Sequence, residues 1–528
     1  VSKKDPSRRD FVENTAKAAI AAAFIPSGFP SIVPRHVLGG LGFTAPSDQL
    51  NFAVVGFGGM GSGNAQQLVT AGHRLAAVCD IDLAFSERQV SGRDKNRDGS
   101  VNANGALLKS QFEKATKYRD FREMLDKQKD IDAVVIATPD HNHAVIAKAA
   151  MQLGKHVYVQ KPLTSTVHEA RVLAQMAREN PKLATQMGNQ GHSRDGTRNI
   201  VEWVQAGLLG DVREVHVWTN RPVGYWPQGI PRPAWPTNPA NASFRTNFGQ
   251  GAINNVLAAQ MAAANFTMPD GLRWDLYLGG CPEDIAYHPA YHPFNWRGWI
   301  DFGVGALGDM GAHLIDQPYW ALGLTQPTAI EASSTPWGTM RVPPADPSAP
   351  AGSPASRPSN RNVSYPVATQ VHYDFPARGK KPAVKLHWYD GGLLPPRPAM
   401  LPIDVPLNPD GGVLFVGDKG VLMHETYGDN PKMWPESLNE KALKVPKTVE
   451  RIAVSHEENW ANAARGMNNA SSPFEYAGAL TETMCLGIVA LRTGQGKKIL
   501  YDAAKGEITN LPEGNAYLTR QYRKGWEV

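Results

Sequence analysis

Through the first third of the chain, short continuous apolar runs alternate with longer stretches in which apolar residues recur every three to four positions. NFAVV (51–55), RLAAVCD (74–80), DIDAVVIATP (130–139), HVYVQKP (156–162) and KLATQMGNQ (182–190) have strand length, and their near-continuous apolar character is that of strands buried on both faces of a parallel sheet. Between them, SGNAQQLVTAG (62–72), AVIAKAAMQLG (144–154) and HEARVLAQMAREN (168–180) carry helical spacing. Strand and helix in alternation predict a doubly wound α/β domain over 48–210. One polar stretch, SERQVSGRDKNRDGSVNANG (86–105), reads as a solvated loop. It lacks the full acidic spacing and closing glutamate of a calcium loop.

After about Gly210 the pattern changes. REVHVWTN (213–220), AIEASST (329–335), ATQVHYDF (368–375), AVKLHWYDGG (383–392) and GVLFVGD (412–418) follow one another as strand-like runs without intervening helices. They predict a C-terminal α+β domain, 211–510, built on an open and mainly antiparallel sheet, with a tail at 511–528. Two insertions interrupt it: a Trp- and Pro-rich excursion at 221–297, expected to cover a pocket, and a Pro/Ser/Ala-rich excursion at 343–360.

A chain of 528 residues exceeds one ordinary core and fits two domains with insertions. A net charge of +5 spread over that length makes no basic stripe, which argues against nucleic acid as a partner. Cys79, Cys281 and Cys485 are far apart, so neither a disulfide framework nor a zinc–cysteine site is expected. Ser7-Arg8-Arg9-Asp10-Phe11 ahead of an alanine-rich apolar stretch looks like a twin-arginine export signal over 1–30. The expectation is an exported, periplasmic protein with no stretch long and apolar enough to span a bilayer.

The run entering Gly56-Phe57-Gly58-Gly59-Met60-Gly61 carries the first specific chemistry. The first glycine of G-x-G-x-x-G permits a tight turn, the second lets a pyrophosphate approach the backbone, and the third lets helix pack on strand. Asp80 closes the next strand 22 residues beyond Gly58, where an acid accepts from ribose hydroxyls and repels a 2′-phosphate. The alternating domain is therefore read as a Rossmann domain that binds NAD in preference to NADP.

Three further stretches join GFGGMG and Asp80: ATPDHNH (137–143), QKP (160–162) and GALGDMGAH (305–313). Together they resemble the Gfo/Idh/MocA oxidoreductase family over about residues 48–525. The resemblance is closest to exported members through GNQGHS (188–193), the stretch from WDLYLGG to NWRGW (274–299), WYDGG (388–392), SHEENW (455–460) and YRKGWEV (522–528). It implies Thr138, Pro139, His143, Gln160, Lys161 and Asn189 as further cofactor-binding residues, and Lys161, Asp309 and His313 as the catalytic set. His313 would be the general base, Asp309 would orient or charge-tune it, and Lys161 would stabilise the developing alkoxide. Gln160 stands where the family carries glutamate, which removes a carboxylate neighbour and favours a Lys161 able to share the base role.

His192, His292, Trp296, Arg297, Trp388 and Tyr389 are the candidate substrate residues, with Trp226 as a further aromatic face for a sugar. His288 and His292 have the spacing of metal ligands, but Pro289 and Pro293 follow them and bias both away from helix, so no metal is expected. The function implied is hydride transfer from a sugar or sugar derivative to a tightly bound nicotinamide. Its alternative is redox-neutral glycoside cleavage through a 3-keto intermediate, although the GGHGG loop of the N-acetylgalactosaminidases that use that route is missing. A homo-oligomer formed through the open sheet is expected.

Overall fold

The computed structural model describes residues 49–96, 98–232 and 266–528; the export-signal segment and residues 233–265 of the first excursion lie outside them. Six parallel strands, β1 (Asn51–Val55), β2 (Arg74–Cys79), β3 (Thr116–Tyr118), β4 (Ala133–Ile136), β5 (His156–Val159) and β6 (Thr185–Met187), form one sheet in the order 3-2-1-4-5-6. Their apolar runs are buried on both faces because helices cover both: α1 (Gly59–Thr70), α2 (Leu83–Ser91), α3 (Ala103–Lys114), α4 (Phe121–Lys127), α5 (His143–Gln152) and α6 (Val167–Glu179). The order reverses between β1 and β4, so the ends of these strands open a crevice.

The polar stretch read as a loop is helical at its two ends, 86–91 and 103–105, and non-helical at 92–96 and 98–102. Asp82 caps α2 by accepting from Phe85 N at 2.9 Å, and Asn102 caps α3 by accepting from Gly105 N at 3.2 Å. Each helix buries a narrow stripe, Ser86 and Val90 in α2 and Leu108 and Phe112 in α3. Such a stripe leaves composition mostly polar and hides the helix from an apolar-periodicity search.

The second sheet has nine strands: β7 (Val212–Thr219), β8 (Ala329–Ser334), β11 (Thr369–Phe375), β12 (Val384–Tyr389), β13 (Gly411–Gly417), β14 (Val421–His424), β15 (Lys432–Trp434), β16 (Lys498–Asp502) and β17 (Glu507–Ile508). Their order is 15-14-13-7-12-11-8-16-17, antiparallel throughout except for the β7–β12 pair. The strands β9 (Gly338–Val342) and β10 (Ser359–Ser364) form a separate hairpin, and the Pro/Ser/Ala-rich excursion is its connecting loop and the start of β10.

Helices do intervene between these strands, contrary to the sequence reading. After α7 (Asp195–Gln205) and the short α8 (Trp274–Leu278) come α9 (Gly305–Leu314), α10 (Asp316–Leu322), α11 (Ser437–Ala442), α12 (His456–Ala464) and α13 (Phe474–Thr493). α13 escaped because it is apolar nearly all round, being packed on every side, whereas the spacing of Asp309 and His313 already admits the helix of α9. By length and mean hydropathy α13 could cross a membrane, a candidate the sequence reading overlooked, but most of it is buried against α6, β8 and α9 as a core helix. α12 returns to the first sheet: Trp460 is fully buried there, its indole donates to Ala184 O at 3.1 Å, and its ring lies 5.5 Å from that of Tyr158.

Candidate functional site

Gly56 turns the chain out of β1 with φ +85°, and a side chain there would sit 2.7 Å from the Ala137–Thr138 backbone. A Cβ on Gly61 would lie 1.9 Å from Gly56 O, so only glycine lets α1 pack this closely on the turn. Gly58 and Gly59 instead meet little protein and line a cleft, where α1 begins without a side-chain cap. Its first N–H groups are thus free to meet an anion. Asp80 holds this loop: its Oδ2 accepts from Phe57 N at 2.6 Å and its Oδ1 from Asp82 N at 2.8 Å. Burial raises its carboxyl above the ordinary value, opposed by those two bonds and by His292. The glycine cradle, the uncapped helix and Asp80 fit a dinucleotide. Asn189 adds a buried amide with neither atom partnered, beside Gln190, which lines the cleft.

The cleft has a volume of about 640 Å³ and runs from this loop to the residues of α9. There Lys161 Nζ donates to Asp309 Oδ1 and to Asp309 O, both at 2.7 Å, and Arg297 Nε donates to the same Oδ1 at 3.2 Å. Burial alone would raise the Asp309 carboxyl, but Lys161 and then Arg297 hold it well below the usual carboxylate range. The partner Gln160 cannot offer Lys161 is therefore supplied from across the cleft. Gln160 itself faces away, donating to Asn64 Oδ1 at 2.9 Å, while Asn64 donates to Glu457 at 2.6 Å.

His313 lies one turn beyond Asp309 on α9, yet no hydrogen bond joins them. Its Nδ1 is buried without a partner among the described residues, and its ring meets Tyr427 edge-on at 4.6 Å. Burial, with Lys161 and Arg194 adding to it against Asp309, holds the imidazole well below the ordinary histidine value. It is neutral at pH 7 and able to accept a proton. Asp140, behind this group, accepts from Val304 N at 3.1 Å and leaves Oδ1 unpartnered. Burial pushes its carboxyl up to about 8, against the pull of Arg297 and Lys161.

Two family models match the chain. Residues 50–188 match the NAD-binding Rossmann fold of an oxidoreductase family, and residues 253–337 match the C-terminal alpha/beta domain of the same family. Over these residues the chain is similar to the Gfo/Idh/MocA oxidoreductase family. A glycosyl hydrolase family 109 protein of Shewanella pealeana is 26% identical over 213 residues, 39% of this chain and 44% of that protein. An inositol 2-dehydrogenase of Salmonella paratyphi B is 28% identical over 169 residues, 32% of this chain and 45% of that protein. Each match spans less than half the length of the curated relative. Among solved structures, the WlbA dehydrogenase of Bordetella pertussis has 14% identity and a TM-score of 0.48, covering 86% of this chain and 99% of that chain.

The cleft brings together Gly56, Gly58, Gly59, Met60, Asp80, Thr138, Pro139, Lys161, His292, Trp296, Arg297, Asp309 and His313, with Trp226. Phe57 and Gly61 support the loop from behind, Phe57 packing 5.1 Å from Phe112. The other candidates lie elsewhere. His143 is a staple, its ring nitrogens 2.9 Å from Pro162 O and Thr138 O. His192 stacks on Trp320 at 4.2 Å and pairs with Asp316 at 2.9 Å. Trp388 is fully buried in the core, its indole donating to Asp390, while Tyr389 on the opposite face of β12 reaches toward His216. His292 accounts for its imidazole by pairing with Asp82 at 3.1 Å.

Several cleft residues escaped the sequence reading: Asn142, Arg221, Tyr225, Tyr277, Tyr427 and Trp526. Tyr427 stands out because its φ of +67° is strained for a side-chain-bearing residue. Its turn is clamped by Thr197, which donates to Tyr427 O at 3.2 Å, and by an ion pair between Arg194 and Asp429. A Cβ on Gly191 would lie 2.9 Å from Tyr427 Cα, so the glycine of GNQGHS makes room for this turn. Its adjacent Gly428 was the one available signal.

Proposed function

We propose that the protein is an NAD-dependent oxidoreductase acting on a sugar or sugar derivative, with catalytic Lys161, Asp309 and His313. The observation that carries this reading is one cleft with a dinucleotide cradle at one end and an unpartnered neutral imidazole beside a Lys–Asp pair at the other. When bound, the nicotinamide supplies the hydride acceptor. His313 accepts the proton of the hydroxyl being oxidised, and Lys161 stabilises the oxygen as negative charge develops. Asp309 positions Lys161 and Arg297. Trp226 and Trp296 line the cleft as aromatic wall, with the Arg297 guanidinium 4.2 Å from the Trp296 ring. Inositol dehydrogenase and glycosyl hydrolase among the relatives' names support a polyhydroxylated substrate.

Asp80 favours NAD over NADP by repelling a 2′-phosphate, and Arg8-Arg9 supports twin-arginine export to the periplasm. Because that compartment holds no sizeable pool of the dinucleotide, we infer a tightly held one. Purification without added nucleotide, denaturation and mass measurement of what is released tests this. Near-stoichiometric NAD or NADH is expected, followed by reduction at 340 nm with a sugar of the right class. An empty protein that binds no NAD refutes the reading. Cell fractionation tests export, and light scattering in solution tests the homo-oligomer.

Redox-neutral glycoside cleavage is the second reading, favoured by the glycosyl hydrolase family 109 names. Release of aglycone from a nitrophenyl glycoside with no net change in nucleotide redox state selects it.

A further inference from the structure

The substrate end of the cleft carries more positive charge than its own carboxylates neutralise. Of the cations lining the cleft, Lys161 and Arg297 share Asp309, and Arg119 lies at the dinucleotide end, where it donates to the carbonyls of Ile81 and Gly271. Arg221 is different. It follows β7 by two residues and lines the cleft beside Tyr225 and Trp226, yet it pairs with no carboxylate among the described residues. The neighbouring stretch 233–265 contains no aspartate or glutamate in its sequence.

Arg221 is also held in place. Its backbone carbonyl accepts from Gly391 N at 2.6 Å and its amide donates to Thr219 Oγ1 at 3.3 Å. The guanidinium donates to Asn220 Oδ1 at 2.7 Å and stacks over the Tyr225 ring at 3.2 Å. These contacts fix its direction without cancelling its charge, and stacking leaves the in-plane N–H fork open to a bidentate acceptor. It lines the same cleft as His313 and as Tyr427, whose ring packs on His313. Asp140, the other acid behind Lys161 and Arg297, is protonated at pH 7 and offers no compensation.

We propose that the substrate is an anionic sugar, bearing a carboxylate that Arg221 binds while Trp226 and Trp296 flank the ring. This deepens the oxidoreductase reading by naming its substrate class, and it rests on that reading only for turnover. An oriented, unneutralised guanidinium in a partly dry aromatic cleft selects a planar anion over a neutral hydroxyl, because a charged acceptor makes the stronger hydrogen bond.

The test titrates the full-length protein, in the presence of NAD, with D-glucuronate and D-galacturonate beside D-glucose and D-galactose, following tryptophan fluorescence and, separately, absorbance at 340 nm. The acidic sugars are expected to bind about tenfold or more tighter than the neutral ones, the size of one charge-assisted hydrogen bond, and the preference is expected to shrink with added salt. Arg221→Gln collapses the ratio toward one, whereas Arg221→Lys, which keeps the charge, retains part of it. Equal binding of acidic and neutral sugars by the wild type, or binding of neither, overturns the proposal without recourse to any variant. Preferential binding of the acidic sugars with no nucleotide reduction by any sugar supports the anion site and removes the oxidoreductase reading instead.

Discussion

Replacing Asp309 by asparagine keeps the shape of the side chain and removes the counter-charge of two cations at once. At 2.7 Å and 3.2 Å, the attraction of a unit negative charge to Lys161 and Arg297 is about 6 and 5 kcal/mol at an effective dielectric of about 20. Desolvation of the three groups offsets most of that. Breaking a buried pair by removing one partner costs roughly 3–5 kcal/mol. Lys161, Asp309 and Arg297 retain 13%, 13% and 16% side-chain exposure, so a loss of about 2–4 kcal/mol is expected. The pH dependence gives the sharper test. The folded-state carboxyl of Asp309 is depressed, so its contribution is fully present above the unfolded value near 4 and is lost as pH falls through the folded value. Denaturant unfolding of wild type and Asp309→Asn should therefore differ by a constant amount between about pH 5 and 8, with the gap closing below about pH 4. A gap under about 1 kcal/mol at pH 7, or one that persists unchanged at pH 3, refutes the ion-triad account.

His313→Ala should lower kcat by about 10²–10⁴-fold while nucleotide still binds. Because the imidazole is held well below its ordinary value, wild-type kcat/KM should show no His313 step between about pH 6 and 8; a step assigned to His313 near 6.5 contradicts the neutral-base reading. Gly61→Ala, whose Cβ would lie 1.9 Å from Gly56 O, should abolish dinucleotide retention, whereas Gly63→Ala, with nothing within 4 Å, should leave the fold intact by circular dichroism. The raised carboxyl of Asp140, about 8, means that the folded state binds a proton the unfolded state has released, so stability falls as pH rises from about 4 to 8. Asp140→Asn removes that loss and should gain on wild type steadily over this range in thermal unfolding; a constant difference with pH contradicts the buried-acid account.

The local features were legible because each depends on residues close in the chain. Continuous apolar runs mark strands buried on both faces, and the glycine spacing of 56–61 follows from backbone geometry at one turn. The same locality explains the errors. Asp309 and His313 share one face of α9 as their spacing indicated, but they do not act as a hydrogen-bonded pair, because Lys161, 148 residues earlier, and Arg297 claim the carboxylate. Trp388 and Tyr389 resembled sugar-stacking residues, yet strand alternation sends one into the core and the other to the opposite face of the sheet.

The sequence by itself determined the sheet-and-helix alternation and the glycine-rich loop, and its motifs offered Lys161, Asp309 and His313 as candidates, since period, turn chemistry and residue type are local properties. Only the tertiary structure decided which charges meet, that α12 completes the first core, that Tyr427 is forced over His313 and that Arg221 has no carboxylate partner among the described residues. Pairing and burial depend on distances between residues hundreds of positions apart, and the energies of charges change with the depth at which the fold places them.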